Sequence, residues 1–177
     1  MWVIGLVLLM GCWGADSAVA ATAKEIDVSV DVALEKFESE VGGAKQLLAS
    51  AKGLLVFPKV IKAGFGWGGE YGEGAMRIAG KTVDYYNTLA GSFGFQIGAQ
   101  AKTIMLVFLD ENALKRFRMS EGWKAGVDGS VAVVAVGAGT SLDTAKLNEP
   151  IVGFIIDQKG LMFNLTLEGS KFTKIDK

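Results

Sequence analysis

The chain has 177 residues, a formal net charge of −1 and 50% hydrophobic residues, the make-up of one globular domain with a sizeable core. It has no histidine and a single cysteine, Cys12. A Ser–His triad, a zinc cluster and an internal disulfide are thereby excluded, and the near-neutral charge argues against a dedicated nucleic-acid binder.

Residues 1–14 are apolar and uncharged. The stretch is too short to cross a bilayer as a helix, but long enough for the core of a signal peptide. Two processing sites compete. Leu9-Met10-Gly11-Cys12 is similar to a bacterial lipobox, which would acylate Cys12 and make a lipoprotein. Ala18-Val19-Ala20 is a small-x-small site, which would cut after Ala20 and release the chain. Plain secretion is preferred, and acylation of Cys12 stays open. Either way the protein is exported. The expected division is a signal peptide over 1–20, a linker over 21–31 and one domain over 32–177.

Leu34, Phe37, Val41, Ala44 and Leu48 recur at three- and four-residue steps and predict a helix after Asp31, weakened at Gly42-Gly43. Gly53 to Phe57 is a short apolar strand stopped by Pro58. Gly64 to Gly74 is the most unusual stretch. Its even positions are glycines apart from Glu70, and its odd positions carry Phe65, Trp67 and Tyr71. In a strand this leaves one face nearly bare. Such a run reflects a sharply bent strand, a second backbone pressed close, or a ligand on the bare side; bending or close packing is preferred. Strands follow over 82–89, over the glycine-spaced 92–98 and over 103–109. Asp110 caps a helix through Leu114 and Phe117. Residues 129–142 form a long strand, and 150–167 a hairpin turning at 157–160.

With strands outnumbering helices and often consecutive, the fold class is α+β. The sheet is largely antiparallel and strongly bent, as two crossed sheets or a partial barrel, with an N-terminal helix and one internal helix.

The Gly64-Phe65-Gly66-Trp67-Gly68-Gly69 string matches a dinucleotide fingerprint only on paper, because no helix former follows it. Glu70 and Glu73 lie three apart on a strand and point to opposite faces, so they are structural acids rather than a catalytic pair. Asp128, Asp143 and Asp157 read as turn formers. No metal or cofactor is implied. Charge is more telling. Between Val41 and Gly69 there is no acid, yet Lys45, Lys52, Lys59 and Lys62 all lie there. Lys59 and Lys62 adjoin the aromatic strand, and cations beside aromatic rings suit an anionic lipid surface. A solvated lysine edge around aromatic core residues is the competing reading.

Several ordered motifs resemble the lipid-binding SYLF domain family. They are Leu55 to Gly66 with Gly68-Gly69-Glu70-Tyr71-Gly72-Glu73-Gly74; Gly94 to Gln100; Gly129-Ser130-Val131-Ala132; and Gly160 to Gly169. The resemblance spans 32–177 and implies a non-enzymatic lipid-binding module. Eukaryotic members use a basic amphipathic N-terminal segment; here that region is a signal and an acidic helix, so phosphoinositide specificity and actin binding are not carried over. The expected function is binding of anionic phospholipid at the periplasmic or outer-membrane face, through Lys59, Lys62, Phe65 and Trp67. The alternative is an envelope scaffold whose glycine-rich face docks a protein partner or a second copy.

Overall fold

The computed structural model describes residues 21–65, 67–93, 98–137, 148–156 and 167–177. Cys12, the two processing sites, and the turn at 157–160 lie outside the described residues.

Helix α1, Ala23–Glu40, opens on a capping box. The Thr22 hydroxyl accepts from the Glu25 amide, and the Glu25 carboxylate accepts from the Thr22 amide at 2.7 Å. The helix therefore begins inside the stretch 21–31 expected to be a linker. Ile26 and Val30 extend the apolar stripe backwards to Ala33 and Phe37, and all four are buried. Of the expected face, Phe37, Val41 and Ala44 are buried and Leu34 and Leu48 pack partly buried against the same core, which Ala33 and Leu47 widen. Val41 leaves helical geometry, Gly43 turns the chain at φ 84°, and α2, Ala44–Ser50, resumes. The anticipated weak point at Gly42-Gly43 is thus a full break, which makes three helices rather than two.

The strands are β1 Gly53–Phe65, β2 Trp67–Ile78, β3 Lys81–Phe93 and β4 Gly98–Phe108. Helix α3, Glu111–Met119, follows, capped by Asp110, whose carboxylate accepts from the Ala113 amide at 2.7 Å. Then come β5 Trp123–Lys124, β6 Ala132–Ala135, β7 Ile151–Ile156 and β8 Lys171–Ile175. All eight form one sheet in the order β5-β8-β3-β2-β1-β4-β7-β6. Among the described strands, β6–β7 is the one parallel pair. The fold class is α+β with a largely antiparallel, strongly bent sheet, as expected.

The sheet curls into a half-barrel. Phe57 on β1 and Phe172 on β8 are three strand spacings apart, about 14 Å in a flat sheet. Their ring centroids are 5.5 Å apart. The concave side holds Leu55, Phe57, Met76, Tyr86 and Leu106 against Leu114 and Phe117 of α3. The convex side packs Val56, Ala75, Met105, Val107 and Phe154 against α1 and α2.

Strand β1 does not stop at Pro58. It passes through a bulge, with register slips between Val56 and Lys59 toward β2 and between Phe57 and Val60 toward β4. A bulge is where a strand tolerates proline, and the Thr103 hydroxyl donates to the Pro58 carbonyl at 2.9 Å. The bare glycines of β2 face this bulge. A Cβ on Gly72 would come within 2.8 Å of the Lys59 carbonyl oxygen, and one on Gly74 would run into the Val56 carbonyl and the Phe57 ring. Close backbone packing is the reason for glycine at these two positions.

Of the strand expected over 129–142, Ala132–Ala135 is a strand and 138–142 lie outside the described residues. Of the strand expected over 92–98, residues 94–97 lie outside them as well. The basic tail contains a strand, β8, that was not expected. Phe172 holds it to the sheet by filling the concave core.

Candidate functional site

Strand register builds an apolar row on the convex face beyond the reach of α1. Ala101, Ile61, Tyr71 and Leu89 lie directly opposite one another on β4, β1, β2 and β3. Directly opposed residues share a face. Ile61 is 43% exposed, Tyr71 48% and Leu89 57%. One step toward the β1–β2 turn come Ala63, Gly69 and Gly91, all exposed. One step further, the register sets Phe65 opposite Trp67 and Trp67 opposite Phe93.

One step the other way, Lys59 pairs in register with Glu73. Glu73 is occupied elsewhere: it accepts from the Tyr71 hydroxyl at 2.8 Å and from Lys177 at 2.9 Å. Burial raises the Glu73 pKa, but the bonds from Lys177 and Tyr71 outweigh it and hold the carboxyl below its ordinary value. Burial, then the bond to Glu73, raises that of Tyr71. Lys177 also donates to the Ala21 carbonyl at 2.9 Å, which pins the start of α1 beside this row. Lys59 is exposed and has no acidic partner among the described residues. Lys171, opposite Leu89, is exposed too. The convex end of the sheet is thus an apolar strip whose one acid is neutralised from within and whose edge carries open cations.

Lys62 does not join it. It lies three residues from Lys59 on the same strand, so the two lysines leave the sheet on opposite sides. On the concave side Lys62 is 3.5 Å from Glu70, and Lys102 of β4 is 2.7 Å from the other Glu70 oxygen. The strand spacing that separates Glu70 from Glu73 separates the lysines as well. Of the four residues expected to bind lipid, β1 and β2 bring Lys59, Phe65 and Trp67 to the glycine-rich end of the sheet, and Lys62 belongs to an internal ion triad. Ile61, Leu89 and Lys102 were not anticipated. The signal for Ile61 was its two-residue step from Lys59; that for Leu89 and Lys102 is pairing register, which no single strand reveals.

A second concave cluster ties α3 and β8 to β3. The buried Asp84 accepts from Arg118 Nε at 3.0 Å and Nη2 at 2.9 Å, and pairs with Lys174. On the convex side α1 is clasped through Asp27, which accepts from Thr82 at 2.7 Å and Tyr85 at 3.0 Å, while Arg77 donates to Asp31 at 2.8 Å. Among the described residues no group of His, Cys, Asp or Glu is placed to hold a metal. No helix among them is long and apolar enough to cross a membrane.

Residues 89–177 match the family model described as Ysc84, the Las17-binding protein actin regulator. The match takes in half of the chain. This chain belongs to the Ysc84, or SYLF, family. The SYLF motifs of β1 and β2 precede the matched region, whereas β4, β6 and β8 fall inside it. The SYLF family is one of binding domains, associated with lipids and with protein partners. No curated protein matches the chain.

Proposed function

We propose that this SYLF protein binds anionic phospholipid surfaces in the bacterial envelope, without catalysis, through the convex glycine-rich end of its sheet. The observation that carries the reading is the exposed row of Ile61, Tyr71 and Leu89 in register across three strands, with the unpaired Lys59 one step away. Contiguous exposed apolar residues mark interaction sites, and cations at their rim suit acidic headgroups. Phe65 and Trp67, two rows further along the same strands, are assigned to the interface. Export would bring the domain to the periplasmic or outer-membrane face, released by cleavage after Ala20 or anchored by an acylated Cys12. Lys177 supports that geometry, because it bonds both Ala21 and Glu73, beside the apolar row.

Co-sedimentation with vesicles tests this. Vesicles rich in phosphatidylglycerol should pull the protein down at low salt, and phosphatidylcholine vesicles should not. Lys59→Glu should weaken binding about 10- to 30-fold, from about 1 kcal/mol for each unit of charge changed near such a surface. Lys62→Glu is a poor probe because it sets a second carboxylate against Glu70. Equal binding to both vesicle types would retire the proposal.

The family description, a Las17-binding protein, supports a second reading in which the same row docks a protein. Vesicle binding that is absent while the Ile61→Ser variant changes sedimentation as an oligomer would favour it.

A further inference from the structure

We propose that Lys62 and Lys102 form a site for a phosphate group on the concave face of the sheet, separate from the convex surface. Both ammonium groups lie at one carboxylate, Glu70, at 3.5 and 2.7 Å. The three side chains come from adjacent strands and are only 17%, 12% and 12% exposed. Two cations against one anion leave one positive charge in excess, in a place with little water to solvate it. Partly buried charge calls for a partner. Each ammonium has three N–H donors, and Glu70 is the acid with which each is paired. Among the described residues no other acceptor is bonded to either lysine.

Lys62 is paired with one oxygen of Glu70 and Lys102 with the other, so their remaining donors belong to two separate groups. A tetrahedral oxyanion with several oxygens can bridge such donors, whereas a halide satisfies one at a time. Lysine binds phosphate as a point charge and needs no planar fork. One register step from Lys62, the residues paired across β2, β1 and β4 are Gly68, Gly64 and Gly98, which bring backbone and no side chains. At Gly72 and Gly74 the bulge of β1 fills the space over glycine; the Gly68–Gly64–Gly98 row lies at the other side of Glu70, away from that bulge. The ligand class is a phosphate monoester or diester, whether free in solution or on a lipid headgroup.

Calorimetric titration of the purified protein with inorganic phosphate, and separately with water-soluble short-chain phosphatidic acid, tests the site. Saturable binding is expected. Lys102→Met and Lys62→Met should each weaken it at least about tenfold, the loss of one charge-assisted contact. Lys45→Met, at an exposed position on α2, should leave it unchanged, and Glu70→Gln, which removes the competing carboxylate, should tighten it. Binding of the phosphatidic acid alone, lost in Lys102→Met, assigns the site to a lipid headgroup; equal binding of both, lost in the same variant, assigns it to free phosphate. Unaltered affinity in Lys102→Met, or saturable binding of neither probe, overturns the proposal. If the lysine variants fail to fold, NMR of the natural protein replaces them. Phosphate should then shift the side-chain methylene signals of Lys62 and Lys102, and signals that stay still would also overturn it. The convex surface stands or falls by vesicle binding of the Lys59 variant, so the two claims fail separately.

Discussion

Gly74 shows how a single atom decides the packing of β2. A Cβ there collides with the backbone of β1 at its bulge, where neither strand can yield without breaking pairing. Gly74→Ala should cost about 1–3 kcal/mol in urea denaturation. Gly91, on β3, has nothing within 4 Å of the same position, so Gly91→Ala should be neutral or slightly stabilising. The alternation of glycine with aromatic residues announced a bare face from the sequence. Which glycines are compelled by contact depends on where β1 bulges, and Pro58 hinted at that only as a strand stop. Glu73 sets a second prediction at this scale. Its folded pKa is depressed, so its contribution to stability is complete above the ordinary carboxylate pKa of about 4.3 and is lost as pH falls through the lower folded value. Lys177→Met removes the main partner that lowers it. That variant should lose less stability than the natural protein between about pH 5 and pH 2, as followed by acid-titrated thermal melts.

The elements were legible where one strand or helix carried its own signal. The apolar stretch 103–108 of β4 and the Asp110 cap of α3 follow from local pattern, whereas the expected strand over Gly64 to Gly74 is divided between the end of β1 and the start of β2. The start of α1 was not legible, because Lys24, Glu25, Asp27 and Asp31 made 21–31 look like a solvated lead-in. Two of those acids are the clasp to the sheet. Asp27 serves Thr82 and Tyr85 and lies 3.6 Å from Arg77, while Asp31 takes the shorter bond from Arg77. Residues some fifty positions apart make these contacts, and no periodicity predicts them. Asp27→Ala strands two hydroxyls and weakens the hold on a half-buried guanidinium. It should cost about 1–3 kcal/mol in urea denaturation. Hydrogen exchange should show α1 losing protection before the strands do.

At the scale of the whole molecule one end of the curled sheet carries two charged faces with different characters. The concave triad locks Lys62 and Lys102 onto Glu70 in a half-buried place, while the convex row leaves Lys59 open beside exposed Ile61, Tyr71 and Leu89. Sequence reasoning placed Lys59, Lys62, Phe65 and Trp67 together as one surface, and all four lie on β1 and β2. It merged the faces because charge was counted along the chain, whereas a strand sends residues three apart to opposite sides. Met119 offers a control for any claim about the convex row. It is 84% exposed, sits beside Arg118 at the end of α3, and lies at the opposite end of β2 near Ile78. The decisive measurement compares two labelled variants, Leu89→Cys and Met119→Cys, each carrying an environment-sensitive fluorophore, on phosphatidylglycerol vesicles. The label at position 89 should shift to the blue as it enters the interface, and added salt should reverse the shift, while the label at 119 stays in water. A shift at 119 with none at 89 would contradict the convex row as the membrane-facing surface.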